Sequence, residues 1–272
     1  MSPTVAPRRS RREPLEGCTI LVTRPADQSA SLVERLERRG ARTIVAPAIE
    51  IVPVRSAALT RGLRDLAAGR FTWITITSRA TVEMLASRVE PADVRARVAV
   101  IGEGTAAAFR SWSGRDVDLQ PSTFTTVGLA HAFPKGIGRV LCARADIAPE
   151  GLEDALAAKG WAPERVDAYR TRMPRSLPLE ARDALAAGDV DAVTFTSAST
   201  VRGFVGALGA VRGAPKVVCI GPVTAKEARA HGLTVHAVAK PHTFMGVADA
   251  VERALTPRSA RTPRRDAGTL PR

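Results

Sequence analysis

Four short turns carry the residue types that could do chemistry. Two apolar runs end in Thr-Ser, at Thr77–Ser78 and Thr196–Ser197. Two others end in Ile-Gly-x-x-Thr, at Ile101-Gly102 to Thr105 and Ile220-Gly221 to Thr224. Each stands just before a helical pattern, so the turn joins a hydroxyl to the unpaired N–H groups and positive potential of a helix N-terminus. Gly102 and Gly221 allow backbone to approach a ligand closely. Such turns suit carboxylates or phosphates. Ser and Thr are also the favoured N-cap residues, and capping accounts for part of every turn. It accounts less well for the same turns recurring in both halves of the chain. Tyr169 is the only tyrosine. It reads as an exposed phenol near a hinge, able to donate a proton, or as a packing residue with a wet hydroxyl.

Several familiar chemistries lack their residues. No G-x-G-x-x-G or Walker loop follows the first strand pattern, so the dinucleotide and nucleoside-triphosphate fingerprints are missing. No Ser/His/Asp arrangement can be placed. His131, His231, His236 and His242 are scattered, and Cys18, Cys142 and Cys219 show no ligand spacing. Neither a metal nor a cofactor is expected.

The elements that must position these turns alternate regularly. Strands are predicted near 19–23, 42–46, 72–76, 97–101, 116–119, 139–143, 164–168, 191–195, 216–220 and 234–238. Each is short and almost continuously apolar, as parallel strands covered on both faces are. Helices are predicted near 27–39, 57–68, 79–87, 104–112, 126–133, 149–159, 178–187, 198–208, 223–231 and 244–255. In the first of them Ala30, Val33 and Leu36 form the apolar side, and Gly40 supplies a left-handed cap.

The chain also repeats itself. ILVTR at 20–24 returns as VLCAR at 140–144, and Gly40 returns as Gly160. ITITSRATV at 74–82 returns as VTFTSASTV at 193–201, and VIGEGTAAA at 100–108 as CIGPVTAKE at 219–227. LQPSTFTTVGLAHAF at 119–133 is echoed by AVAKPHTFMGVADAV at 237–251. The echoes keep one order at offsets of about 120 residues, which points to an ancestral duplication. The expectation is two similar α/β domains, each a doubly wound, flavodoxin-like parallel sheet, with a cleft between them. Residues 49–54 and 168–173 occupy matching places in the repeats and read as connectors. Periodicity leaves open whether the halves form a simple tandem or exchange strands.

Composition bounds the rest. Of 272 residues 45% are hydrophobic but only 4% aromatic, so the cores must be aliphatic. The net charge is +13, of which residues 1–16 carry +2 and residues 256–272 carry +4, leaving +7 on the folded part. Such a surplus suits an anionic partner. Residues 1–16 and 257–272 read as disordered basic tails. No apolar signal core follows RRSRRE at 8–13, and no run is long enough to span a bilayer. Isolated cysteines fit a reducing cytoplasm. The expected protein is a cytoplasmic monomer without membrane contact.

Taken together, seven segments resemble uroporphyrinogen-III synthases. They are ILVTRPADQ (20–28), GARTIVAP (40–47), FTWITITSRATVE (71–83), VIGEGTAAA (100–108), AYRT (168–171), DAVTFTSASTV (191–201) and CIGPVTA (219–225). The resemblance implies a chain that crosses to a second domain and returns. Domain one would be 17–48 with 174–256, and domain two 55–167. Residues 49–54 and 168–173 would form a two-stranded linker. It implies a small polyanionic substrate, hydroxymethylbilane, a linear tetrapyrrole with eight carboxylates, closed with inversion of its last ring and without cofactor or metal. Tyr169 matches the tyrosine proposed to help the hydroxyl leave. Ser78, Ser197, Thr105 and Thr224 match carboxylate-binding positions, and Arg24 and Gln28 are further candidates for acetate or propionate. Thr77, Thr196, Gly102 and Gly221 complete the substrate-binding set. Glu103, an acid inside one anion turn, departs from the pattern.

Two other functions compete. One is a non-catalytic tetrapyrrole- or anion-binding regulator using its tails on nucleic acid, although no winged-helix or zinc module is present and nucleic acid is not the expected partner. The other is a glycosyltransferase-like enzyme, which lacks a diphosphate loop.

Overall fold

A computed structural model of the chain describes residues 13–255. The predicted tail at 257–272 and most of that at 1–16 lie outside the described residues. The end of the first tail is a correction: Leu15 is fully buried and its amide donates to the Arg39 carbonyl at 2.8 Å. Burial of Leu15 and the backbone bonds from the Leu15, Glu16 and Cys18 amides together hold this short turn.

The chain divides into two compact units, one running to Ile49 and resuming at Met173, the other Glu50–Arg172. The first begins with β1 (Thr19–Val22), α1 (Ala30–Glu37) and β2 (Arg42–Val45). The second holds β3 (Glu50–Pro53), α2 (Ala57–Ala67), β4 (Trp73–Ile76), α3 (Arg79–Ala86), β5 (Arg97–Val100), α4 (Glu103–Ser113), α5 (Thr126–Ala132), β6 (Arg139–Ala145), α6 (Leu152–Ala157) and β7 (Ala162–Arg172). The chain then returns through α7 (Leu179–Ala187), β8 (Ala192–Phe195), α8 (Ala198–Ala207), β9 (Lys216–Cys219), α9 (Pro222–Ala230), β10 (Val235–Val238) and α10 (Phe244–Leu255).

The first sheet has the order β2-β1-β8-β9-β10, with every pair parallel. The second has the order β3-β7-β6-β4-β5, parallel except for β3 against β7. Alternate strand residues enter different cores. Leu21, Val193 and Phe195 join one cluster while Ile20, Val22 and Ala192 join another. In the second sheet Ile74 and Leu141 face one cluster, and Trp73, Val140 and Cys142 face another. Both faces are covered, which is why the strands read as unbroken apolar runs.

Two local expectations need correction. Residues 116–119 form no strand: a single parallel bridge joins Leu119 to Ala99. The acidic Asp118 instead uses its carboxylate to accept from the Val98 amide at 2.8 Å. The buried side of α1 is Leu32 and Leu36, with Val33 partly buried beside them and Ala30 exposed at the first position of the helix, after a separate 3-10 turn at 26–28. Residues 168–172 are the end of β7, an eleven-residue strand. Residues 50–53 pair with them antiparallel as β3, from Glu50 against Arg172 to Pro53 against Tyr169, so the segments 49–54 and 168–173 run side by side as two strands of the second sheet. Gly40 has φ +86° at the end of the α1 segment, where an L side chain would be strained.

Candidate functional site

In parallel α/β sheets ligands gather beyond the carboxyl ends of the strands, above all where strand order reverses. That reversal falls between β1 and β8 in the first sheet and between β6 and β4 in the second.

In the first unit two buried threonines lock the reversal. Thr23 Oγ1 donates to the Thr194 carbonyl at 2.8 Å, and Thr194 Oγ1 donates to the Leu21 carbonyl at 3.2 Å. Arg24 comes next on the chain. Its Nη1 donates to Thr196 Oγ1 at 2.8 Å, its Nε to the Gln28 carbonyl at 3.0 Å, and its Nη2 to Gln28 Oε1 at 3.1 Å. The guanidinium also lies 4.7 Å from the centre of the Phe244 ring, a cation–π contact. Arg24, Gln28 and Thr196 therefore form one polar cluster at the end of β1 and β8. Ser197 caps α8, accepting from the Thr200 amide at 3.2 Å, and its hydroxyl meets Ser199 Oγ at 2.9 Å. Gly221 caps α9, and Thr224, 4% exposed, stands in its first turn.

In the second unit Ser78 caps α3, accepting from the Thr81 amide at 3.2 Å. Thr77 precedes it, half-buried. Tyr169 Oη donates to Ser78 Oγ at 2.9 Å, bringing the lone tyrosine from β7 onto the Thr-Ser turn after β4. The phenol is not the exposed group the sequence suggested: Tyr169 is only 7% exposed and packs in the aliphatic core beside α3. Burial pushes its pKa above the ordinary 10.0, so it stays protonated at neutral pH. Gly102 caps α4, with Thr105 8% exposed in the first turn. Glu103 is exposed and lies 3.9 Å from Arg110 further along that helix.

Neither Gly102 nor Gly221 is demanded by its own backbone, which is extended at both. What lies over each is a ring. A Cβ at Gly102 would meet the Phe124 side chain at 3.7 Å, and one at Gly221 would meet His242 at 3.7 Å. Phe124 and His242 hold corresponding places in the echoed segments, a signal present in the sequence itself. Arg144 is likewise the echo of Arg24. Arg144 is 1% exposed at the end of β6, and its Nη1 donates to both Glu153 oxygens at 3.0 and 2.9 Å.

The predicted residues thus fall on two edges. Arg24, Gln28, Thr196, Ser197, Gly221 and Thr224 belong to the first unit, and Thr77, Ser78, Gly102, Thr105 and Tyr169 to the second. Thiol chemistry is not available to the buried cysteines, because burial pushes Cys142 and Cys219 up to about 12. Among the described residues no cluster of three or more His, Cys, Asp or Glu side chains is arranged to hold a metal ion, and no helix is long and apolar enough to cross a membrane.

The fold and its edges define a class: a parallel α/β protein of two units, each presenting helix N-termini and hydroxyls at the carboxyl ends of its strands, with arginine in one and a buried phenol in the other. Comparison with known proteins narrows the class to one family. The chain belongs to the uroporphyrinogen-III synthases, cyclising lyases of porphyrin biosynthesis: the family model described as uroporphyrinogen-III synthase HemD matches residues 30–249. The uroporphyrinogen-III synthase of Synechococcus elongatus is 32% identical over 201 residues, covering 71% of this chain and 75% of that protein. The porphyrin biosynthesis protein HemD of Ruminiclostridium josui is 29% identical over 249 residues, 88% of this chain but 49% of that protein, so the chain spans about half the length of that relative. A mutant uroporphyrinogen III synthase of the extremely thermophilic bacterium Thermus thermophilus shares the fold, with a TM-score of 0.61 at 21% identity, over 88% of this chain and 98% of that one.

Proposed function

We propose that this chain dehydrates and cyclises hydroxymethylbilane to uroporphyrinogen III, inverting the last pyrrole ring through a spiro intermediate. The observation that carries the reading is the Tyr169–Ser78 contact: the chain's single phenol is held, protonated, on a helix N-terminus at a binding edge. The substrate's terminal hydroxyl leaves as water: the neutral phenol turns its hydrogen from Ser78 Oγ to that hydroxyl, and the phenolate takes a proton back from the ring carbon that forms the closing bond. The azafulvene cation so formed is attacked by the substituted carbon of the last ring. The spiro intermediate opens and recloses at the other carbon. Uncatalysed closure gives the uninverted isomer, so the protein's task is to hold one conformer, and positioning is the main term.

The eight carboxylates supply the handles. The cluster of Arg24, Gln28 and Thr196 and the N-termini of α8 and α9 receive some of them, and the N-termini of α3 and α4 receive others. Each charge-assisted hydrogen bond contributes about 1.5–3 kcal/mol. The retained positive charge of the folded part draws a polyanion in.

We infer further that the two units descend from a duplicated one. Each sheet takes strands from both halves of the sequence. Numbering the strands within each echoed half, β2-β1-β8-β9-β10 and β7-β6-β4-β5 with the Leu119 bridge both read 2-1-3-4-5. Unpaired Cys18, Cys142 and Cys219 suit a reducing cytoplasm.

The test is direct. Hydroxymethylbilane is generated in situ, the protein is added, and the products are oxidised and resolved into isomers. Type III is expected. Type I alone would reject the enzyme and favour a tetrapyrrole-binding regulator.

A further inference from the structure

Ser78 Oγ receives two donors: the Thr81 amide at 3.2 Å and Tyr169 Oη at 2.9 Å. A hydroxyl oxygen has two lone pairs and one hydrogen, so both acceptor sites are taken and its own hydrogen must go elsewhere. Thr81 Oγ1 stands 3.1 Å away. Thr81 Oγ1 in turn donates to the Ala143 carbonyl of β6 at 3.3 Å, and Thr81 is completely buried. Counting hydrogens therefore gives the line one direction, from Tyr169 to Ser78 to Thr81 to the Ala143 carbonyl. Were Thr81 the donor to Ser78, that oxygen would hold three donors and Thr81 would lose its bond to β6.

The corresponding residue of the first unit behaves differently. Thr200 Oγ1 turns back on its own cap, donating to the Ser197 carbonyl at 2.8 Å rather than to a neighbouring strand, and the Ser197 hydroxyl lies 2.9 Å from Ser199 Oγ and 3.5 Å from Thr200 Oγ1. Position 80, which corresponds to Ser199, is alanine, and the position corresponding to Tyr169 in the first half is Ile49. Capping alone accounts for Thr200. It does not account for a threonine that reaches past its cap to anchor on the neighbouring strand.

We propose that Thr81 is a positioning residue for the Tyr169–Ser78 pair, fixing the serine hydroxyl so that the phenol keeps one orientation at the binding edge. Its consequence for the reaction rests on the enzymatic reading above. The contact itself can be read without activity, because Tyr169 is the only tyrosine. Protein labelled with ¹³Cζ-tyrosine gives one resonance, whose shift and alkaline titration report that phenol. Thr81→Val is expected to move both the resonance and its titration midpoint. Thr81→Ser should leave them close to those of the unaltered chain, and Thr200→Val should not disturb them. In the isomer assay Thr81→Val should lower kcat for type III about tenfold with KM little changed, as for one lost orienting hydrogen bond, and Thr81→Ser should recover most of the rate. A folded Thr81→Val protein with the original resonance and titration would overturn the proposal, as would a valine variant of undiminished kcat. If Thr81→Val does not fold, Thr81→Ser against Thr81→Ala decides by the same resonance. If the unaltered chain makes only type I, the enzymatic reading falls, and the tyrosine resonance alone decides whether Thr81 holds the pair.

Discussion

Arg24 and Arg144 stand at the carboxyl ends of β1 and β6, the same place in two sheets, and differ in what they bind. Arg24 is half-buried and spreads its guanidinium over Gln28 and Thr196. Arg144 is sealed in and held by Glu153. A guanidinium at the strand-order reversal can serve a ligand when it remains partly in water, and serves the fold when a carboxylate takes it. The two arginines therefore make opposite predictions.

Arg24→Ala should weaken substrate binding and leave the fold intact. Loss of one charge-assisted contact, worth about 1.5–3 kcal/mol, raises KM roughly 10- to 100-fold with a smaller change in kcat. Initial rates of type III formation against bilane concentration check this. A normal KM would remove Arg24 from the substrate site.

Arg144→Met should instead destabilise. It strands Glu153, whose side chain is only 17% exposed, and breaking a buried pair from one side costs about 3–5 kcal/mol. Replacing both partners by apolar residues should be milder than the single change. Urea unfolding of the single and double variants compares them.

Tyr169→Phe should keep the fold while type III formation slows by roughly 10²-fold or more, the usual share of a general acid. Type I from unaided closure then dominates the products. The same variant tests the phenol's burial. Because the folded pKa lies above the ordinary 10.0, the unfolded chain loses this proton first as pH rises. The protonated phenol's contribution is complete below about pH 10 and is lost as pH climbs through the folded pKa. The unaltered chain should therefore lose stability relative to Tyr169→Phe as pH rises past about 10, measured as the shift in urea midpoint.

Two matched glycines should prove intolerant of a methyl group. A Cβ on Gly128 would sit 2.0 Å from the Thr123 carbonyl oxygen, and one on Gly246 would sit 1.9 Å from that of Pro241. Either alanine variant must push the loop before α5 or α10 aside, at about 1–3 kcal/mol. Gly104→Ala, where nothing lies within 4 Å, should be neutral or slightly stabilising through helix propensity. Thermal midpoints of the three variants separate these cases.

Much of this was legible in the chain. Thr77–Ser78 and Thr196–Ser197 could be placed because an apolar run followed by a hydroxyl and a helical pattern is a local signal. Leu119 misled because the alternation of Asp116-Val117-Asp118-Leu119 gives no account of what the acids bind: with Asp118 accepting from the Val98 amide, only one bridge forms. Arg144 was in view as the echo of Arg24, but a sequence does not show that Glu153, nine residues on, would claim it.

The sequence alone determined the alternation of strands and helices, the hydroxyl turns and the echoed halves, since each depends on residues within one or two turns of chain. Tertiary structure alone decided which strands share a sheet, how deeply Tyr169 is buried, and that its phenol finds Ser78 across 91 positions. The physical reason is one of range. Caps and periodicity are set by neighbouring backbone, whereas strands of nearly the same composition choose partners, and buried hydroxyls choose acceptors, only once the whole core has packed around them.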